Sequence, residues 1–206
     1  MSNSPTFTQR DASNPAFWDE RFEQQFMPWD KGGVPHAAQR YFSSITHHSN
    51  QACLIPGCGT GYEAAFLAQL GWDVAAIDFS PAAVAAAKAA HPACADRFVE
   101  ADFFQFQPAK PLAFIYERAF LCALPLHLRA QLAARWAQLL PAKSLLLGFF
   151  FITEATSKSG PPFSISQAEL DTLLAPHFDC LENNPVDDSI PVFAGNERWQ
   201  IWQKRD

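Results

Sequence analysis

From Gln51 onward the chain alternates short strand-like runs with helix-like runs, and this alternation constrains the fold more than any other feature. Strands that alternate with helices connect through right-handed crossovers into a largely parallel sheet. Ala52–Pro56 reads as a buried strand, Asp73–Asp78 as a second, Arg97–Ala101 as a third, Leu112–Glu117 as a fourth and Ser144–Ile152 as a fifth. Gly61–Leu70 reads as a helix closed by Gly71 as its C-terminal glycine. Ser80-Pro81 opens the next helix, since serine caps free N–H groups and proline suits the first helical position. That helix ends near Ala90, before Pro92. In Leu126–Leu140 the apolar residues Leu128, Leu132, Trp136 and Leu139 fall at helical spacing. Ser166 opens a further helix with Glu169 at the capping-box position. Two late strands are expected near Phe178–Leu181 and Arg198–Trp202. Asn14 to about Ser44 suits two short helices separated by Pro28-Trp29-Asp30-Lys31-Gly32-Gly33. Residues 1–50 are therefore expected to form a lid or cap segment on a core of residues 51–206, within a single structural domain overall.

Several function classes fall away on composition. The longest apolar run, Leu145 to Ile152, has the length of a buried strand and is far short of the roughly 18 residues of a membrane span. The N-terminus lacks a basic flank followed by an apolar stretch, so neither a signal peptide nor a membrane partner is expected. The five cysteines are odd in number and form no Cys-x-x-Cys pair, which argues against a disulfide framework or zinc site and for a reducing cytoplasm. The six histidines, His47-His48 among them, show no ligand-like spacing, and no metal is expected. A net charge of −6 makes nucleic acid a poor partner but leaves room for a small anionic ligand. Aromatic residues are abundant, with 19 Phe and 6 Trp, which fits a thick core or an aromatic-lined pocket.

Chemistry is expected beyond the carboxyl ends of the strands, where ligands bind in sheets of this kind. Gly57, Gly59 and Gly61 lie between the first strand and the first helix, where glycine permits positive φ and close approach of a ligand. Asp78 ends the second strand, and a carboxylate there can accept from both hydroxyls of a ribose. Two cofactor classes use this plan. The dinucleotide fingerprint is Gly-x-Gly-x-x-Gly, whereas here the spacing is Gly-x-Gly-x-Gly and bulky Tyr62 holds the last dinucleotide position. That disfavours a pyrophosphate, and with it a nicotinamide oxidoreductase.

At this point the sequence resembles the class I S-adenosylmethionine-dependent methyltransferases. More narrowly it resembles the thiopurine methyltransferase family, including its plant-type halide/thiol methyltransferase branch. The marks are Trp18, Pro28-Trp29-Asp30, Pro56-Gly57-Cys58-Gly59, Ala101-Asp102-Phe103-Phe104, Phe120-Leu121-Cys122-Ala123-Leu124 and Gly160-Pro161-Pro162-Phe163, so the likeness runs from about Phe17 to the C-terminus. It implies a Rossmann-like α/β fold, with a mostly parallel seven-stranded sheet flanked by helices and an N-terminal helical lid.

The resemblance also implies site roles. Gly57, Cys58 and Gly59 would lie under the methionine part of S-adenosylmethionine, and Asp78 would hold the ribose. Phe79 and Ser80 would lie beside the adenine, with Asp102 accepting from its amino group and Phe103 contributing backbone. Asp102 also reads as an ordinary turn acid. Trp18, Phe22 and Trp29 match positions that cover the cofactor, although Trp18 and Phe22 equally suit core packing. Glu117-Arg118 follows the fourth strand and faces the substrate in the family, so both are candidate catalytic groups, Arg118 also touching the cofactor. Arg118 would attract an anionic substrate or form a salt bridge to a neighbouring carboxylate; Glu117 would act as a base or orient Arg118. The chain departs from the halide/thiol branch at Phe22, Arg118 and Phe163, where Trp, Tyr and Tyr are common.

The implied activity is methyl transfer from S-adenosylmethionine to a small soft nucleophile, above all a thiol. Alternatives are a halide or a tellurium or selenium oxyanion as acceptor, or a module that binds the cofactor without catalysis. A cytoplasmic monomer or weak dimer with a small-molecule substrate is expected.

Overall fold

The computed structural model describes residues 5–45, 51–155, 160–193 and 195–206. Seven strands build one sheet: β1 (Ala52–Pro56), β2 (Asp73–Asp78), β3 (Phe98–Glu100), β4 (Leu112–Arg118), β5 (Leu145–Phe151), β6 (Phe178–Pro185) and β7 (Glu197–Lys204). Their order across the sheet is β3-β2-β1-β4-β5-β7-β6. The first five pair in parallel, and β7 runs antiparallel to both β5 and β6. The chain moves outward from β1 to β3, then returns to place β4 on the other side of β1. That reversal opens a crevice at the carboxyl ends of β1 and β4.

Side chains alternate between the two faces of each strand, and helices cover both. On one face α2 (His36–Ser44), α3 (Tyr62–Gln69) and α4 (Pro81–Ala90) bring Phe42, Leu67 and Val84 against Cys53, Ile55, Val74 and Phe149. On the other, α5 (Arg129–Leu139) and α6 (Gln167–Leu174) bring Leu132, Trp136 and Leu170 against Leu54, Ile77, Ile115 and Leu146.

The helix boundaries follow local chemistry. Ser80 Oγ accepts from Ala83 N at 3.1 Å, with Pro81 in the first turn of α4. Ser166 and Glu169 close a reciprocal capping box at the start of α6. A further helix, α1 (Pro15–Glu23), starts with the Asn14 side chain accepting from Ala16 N.

Some expectations change. The third strand shrinks to three residues because Pro92–Arg97 winds into tight 3-10 turns. The α5 helix begins at Arg129, after a 3-10 turn over Leu126–Leu128 that follows Pro125. The last two strands are longer than expected, eight residues each, because they pair with each other and extend one another's hydrogen bonding. Helix α2 lies on the sheet, with Ala38 and Phe42 fully packed, so only α1 and the loop after it sit where a lid would. His47 and His48 fall outside the described residues. Among the described residues no helix is long and apolar enough to cross a membrane.

Candidate active site

The loops after β1, β2, β3 and β4, together with the N-terminal segment, enclose a cleft of about 790 Å³, a size that suits a small-molecule site. Its floor is the glycine loop. Gly57 has φ +61°, and a side chain there would start 2.7 Å from the Phe120 ring. Gly61 has φ +79°, and its Cβ would lie 2.5 Å from Phe98. Both positions therefore require glycine. The Cys58 amide donates to Ile77 O at 3.0 Å, which ties the loop to β2. Burial, with Asp78 nearby, pushes the Cys58 thiol well above its ordinary pKa, so it stays protonated.

Asp78 ends β2 on the cleft wall. Its Oδ2 accepts from Gly59 N at 3.1 Å and its Oδ1 from Ser80 N at 3.0 Å. A carboxylate has about four acceptor positions, so acceptor capacity remains on Asp78, which lines the cleft. Burial raises its pKa to about 6, against the opposing pull of those amides. Phe79 follows on the wall. Ser80 does not line the cleft: it is fully buried, and its hydroxyl donates to Asp19 at 2.5 Å while capping α4. Asp19 also accepts from Ala82 N at 3.1 Å, and so fastens α1 to the start of α4.

Trp18, Phe22 and Trp29 all line the cleft. Trp29 meets Trp18 edge-on at 5.3 Å between ring centroids and Phe22 at 6.3 Å. The Phe22 ring descends to 3.8 Å from where a side chain on Gly59 would begin. Trp29 packs further against Cys122, Ile190 and Phe193. Lys31 holds the same loop, its ammonium donating to Asp188 O at 2.5 Å and lying 3.1 Å from the Asp188 carboxylate.

Beyond β3, Asp102 and Phe103 border the cleft. The Asp102 carboxylate accepts from Phe104 N at 2.8 Å and from the Gln105 side chain at 3.0 Å, as a turn-forming acid does. Arg135 of α5 donates to the carbonyls of Phe103 and Phe106 and anchors this loop.

At the end of β4, Tyr116 and Arg118 face the cleft, and Glu117 between them does not. Arg118 pairs with Glu63 of α3 at 2.6 Å. Burial works against its charge, but Glu63 more than restores it, and its pKa stands above the ordinary value. Glu117 is 1% exposed, and its Oε1 accepts from Phe120 N at 3.1 Å and Leu121 N at 2.7 Å. The expectation that Glu117 works at the reacting end is corrected on geometry. Adjacent strand residues point to opposite faces, so Glu117 shapes the turn that carries Phe120, and Glu63 is the carboxylate that holds Arg118.

The structure thus brings Trp18, Phe22, Trp29, Gly57, Cys58, Gly59, Asp78, Phe79, Asp102, Phe103 and Arg118 to one cleft, and leaves Ser80 and Glu117 off its wall. Sequence reasoning missed Asp19, Glu63, Tyr116 and Lys31. Period-two alternation of β4 was a legible signal for Tyr116, which shares a face with Arg118. The other three act through distant partners, which local sequence does not reveal. It also missed His36, Asp187 and Asp188, whose ligand atoms lie within 4.8 Å of one another, although Lys31 already neutralises Asp188.

The sequence model of the family described as thiopurine S-methyltransferase matches residues 13–205. A probable thiol methyltransferase 2 of Arabidopsis thaliana is 29% identical over 195 residues, covering 91% of this chain and 84% of that protein. A thiopurine S-methyltransferase of Vibrio atlanticus (strain LGP32) is 27% identical over 198 residues, covering 88% of this chain and 91% of that protein. Among solved structures, magnesium protoporphyrin IX methyltransferase from Synechocystis PCC 6803 aligns with a TM-score of 0.71 at 15% identity, over 97% of this chain and 100% of that one. At that identity the likeness is one of fold.

Proposed function

The chain belongs to the thiopurine S-methyltransferase family, and on that premise we propose that it transfers a methyl group from S-adenosylmethionine to the sulfur of a small thiol held in this cleft. The observation that carries the reading is Asp78: a buried carboxylate on the cleft wall with acceptor capacity to spare, above a glycine floor and beneath an aromatic roof.

Those features fit the cofactor. Asp78 would hold the ribose hydroxyls, and the Gly57–Gly59 loop would pass beneath the methionine part. Phe79, Asp102 and Phe103 would border the adenine. Trp18, Phe22 and Trp29 would close over it, and aromatic faces suit a sulfonium cation while keeping water out. When bound, S-adenosylmethionine supplies an activated methyl group on a positively charged sulfur.

The chain's own residues then align the acceptor and exclude water. Arg118 faces the acceptor and offsets part of the cost of drying a thiolate. Glu117 lies off the cleft wall, and Glu63, the carboxylate nearest Arg118, is engaged in its ion pair at 2.6 Å. A thiol with a pKa of roughly 8.5 already carries a useful thiolate fraction near neutrality, so the acceptor arrives ionised. The five free cysteines suit a reducing compartment, and we assign the protein to the cytoplasm.

Two measurements test this together: calorimetric titration with S-adenosylhomocysteine, and transfer of a labelled methyl group to a panel of aliphatic and aromatic thiols. Binding with transfer to thiols is expected. Binding without transfer to any thiol would reduce the protein to a cofactor-binding module, and absence of binding would overturn the reading.

A further inference from the structure

On the reading that this cleft methylates sulfur, we propose that the acceptor is an aromatic thiol with a carboxylate remote from its sulfur, and that Arg10 and Arg21 at the cleft rim bind that carboxylate.

Among the described residues four cationic side chains line the cleft: Arg10, Arg21, Lys31 and Arg118. Two are matched, Arg118 by Glu63 and Lys31 by Asp188. Arg10 and Arg21 form no ion pair with a carboxylate among the described residues. The neighbouring Glu20 is turned to the Thr8 hydroxyl and to the amides of Thr8 and Gln9. Burial works first against the Arg21 charge; Glu20 supports it at longer range, and Arg10 lies near enough to oppose it. An anion between the two guanidiniums relieves that repulsion.

Arg21 is held ready for such a partner. Its guanidinium lies over the Phe7 and Phe17 rings, 4.3 Å and 3.3 Å from their centroids, and Nη1 donates to Phe17 O at 2.5 Å. Nε and Nη2 make no hydrogen bond among the described residues, yet neither is closed off from solvent. These two donors share one edge of the guanidinium, the edge that a carboxylate matches with both oxygens. The rings fix the plane of that fork before a ligand enters.

Helix geometry sets Arg21 apart from the cofactor's ribose and adenine. At about 100° per residue, Phe17 and Arg21 fall about 160° around α1 from Asp19, which binds Ser80 and Ala82 at the start of α4. Trp18 and Phe22 lie between, with Phe22 above Gly59. Arg21 therefore faces away from α4 and from Asp78 and Phe79 before it. The same rim carries Phe26, which is 40% exposed on the cleft, packs on Phe7 and donates its amide to Arg21 O. A phenyl ring beside two guanidiniums is the complement of an aromatic ring bearing a carboxylate.

Paired acceptors with and without the charge test this. The unmutated enzyme should favour 4-mercaptobenzoate over its neutral isostere 4-mercaptobenzamide in kcat/KM. Arg21→Gln should cut that acid-to-amide ratio about tenfold, and Arg10→Gln, at an exposed position, about threefold. A loosened α1 would slow both acceptors alike, so the ratio isolates the charge. Salt at about 0.5 M should shrink the same preference. The contrast is also read without turnover, by calorimetric titration of the S-adenosylhomocysteine complex with the methylated products, 4-(methylthio)benzoate and 4-(methylthio)benzamide. An acid no better than the amide, or a ratio untouched in both variants, would overturn the proposal. Weaker S-adenosylhomocysteine binding in both variants with the ratio intact would assign the arginines to the cofactor's own carboxylate, and overturn it as well. If the product acid binds through Arg21 but no thiol is methylated, the methyl-transfer reading fails and the carboxylate subsite stands.

Discussion

Two buried carboxylates, on β2 and β4 with β1 between them, have opposite relations to the cleft, and each carries a prediction. Asp78 lines the cleft with acceptor capacity to spare, so Asp78→Ala should remove a charge-assisted pair of hydrogen bonds and weaken S-adenosylhomocysteine by about 1.5–3 kcal/mol, tenfold or more by calorimetry. With its pKa raised to about 6 by burial, the ionised form that accepts both hydroxyls fades below that value. Affinity should therefore fall as pH drops through about 6, and an Asp78→Asn variant should show a flat profile over the same range. Glu117 behaves otherwise. Burial raises its pKa from 4.5 to about 8. Between those values the unfolded chain has released a proton that the folded protein keeps, so this residue makes the fold less stable as pH rises from 4.5 to about 8. Glu117→Gln preserves an oxygen for the amides of Phe120 and Leu121. It should flatten that slope in denaturant titrations and leave kcat within about threefold, whereas a general base would cost at least about 10² in rate.

At the scale of elements, the decisive contact joins α1 to α4. Asp19 accepts from the Ser80 hydroxyl and from Ala82 N at the exposed end of a helix, where a carboxylate also complements the helix dipole. Asp19→Ala should destabilise the protein by about 1–2 kcal/mol. Its clearer signature is local: α1 should become accessible to protease while the sheet core resists, and S-adenosylhomocysteine should bind more weakly because Trp18 and Phe22 ride on that helix. Equal protease resistance with and without Asp19 would show that α1 is held by packing alone. The aromatic roof is thus secured at two points, α1 by Asp19 and the following loop by Lys31 and Asp188.

For the whole molecule, a ligand that binds only the folded state stabilises it by mass action. S-adenosylhomocysteine at about one hundred times its Kd should contribute about 2.7 kcal/mol, which for a chain of this size raises the melting temperature by about 5–11 °C. Ordering of α1 and the Trp29 loop over the ligand should also protect the segment from Asn14 to Gly33 against proteolysis. Stabilisation without protection there would mean that the segment is already closed in the free protein.

The sequence by itself determined the layered α/β plan, the seven-stranded sheet, the starts of α4 and α6, and the positions of the glycine loop and Asp78. These features rest on local rules: period-two and period-3.6 burial, capping by Ser80 and Ser166, and loops that follow strands. It did not determine the length of β6, whose run Glu182-Asn183-Asn184 reads as a loop until pairing with β7 supplies its hydrogen bonds. Nor did it determine the place of α2, since an amphipathic helix fits either a lid or a sheet, and only the cavity formed by Phe114, Tyr116 and Trp199 decides where Phe42 is buried. The partner of Arg118 was equally beyond it. Glu117 is adjacent in sequence and Glu63 is not, yet strand geometry turns Glu117 away and the β1–α3 crossover delivers Glu63. Contacts between residues far apart in the chain depend on how complete elements pack, and that packing exists only in the folded molecule.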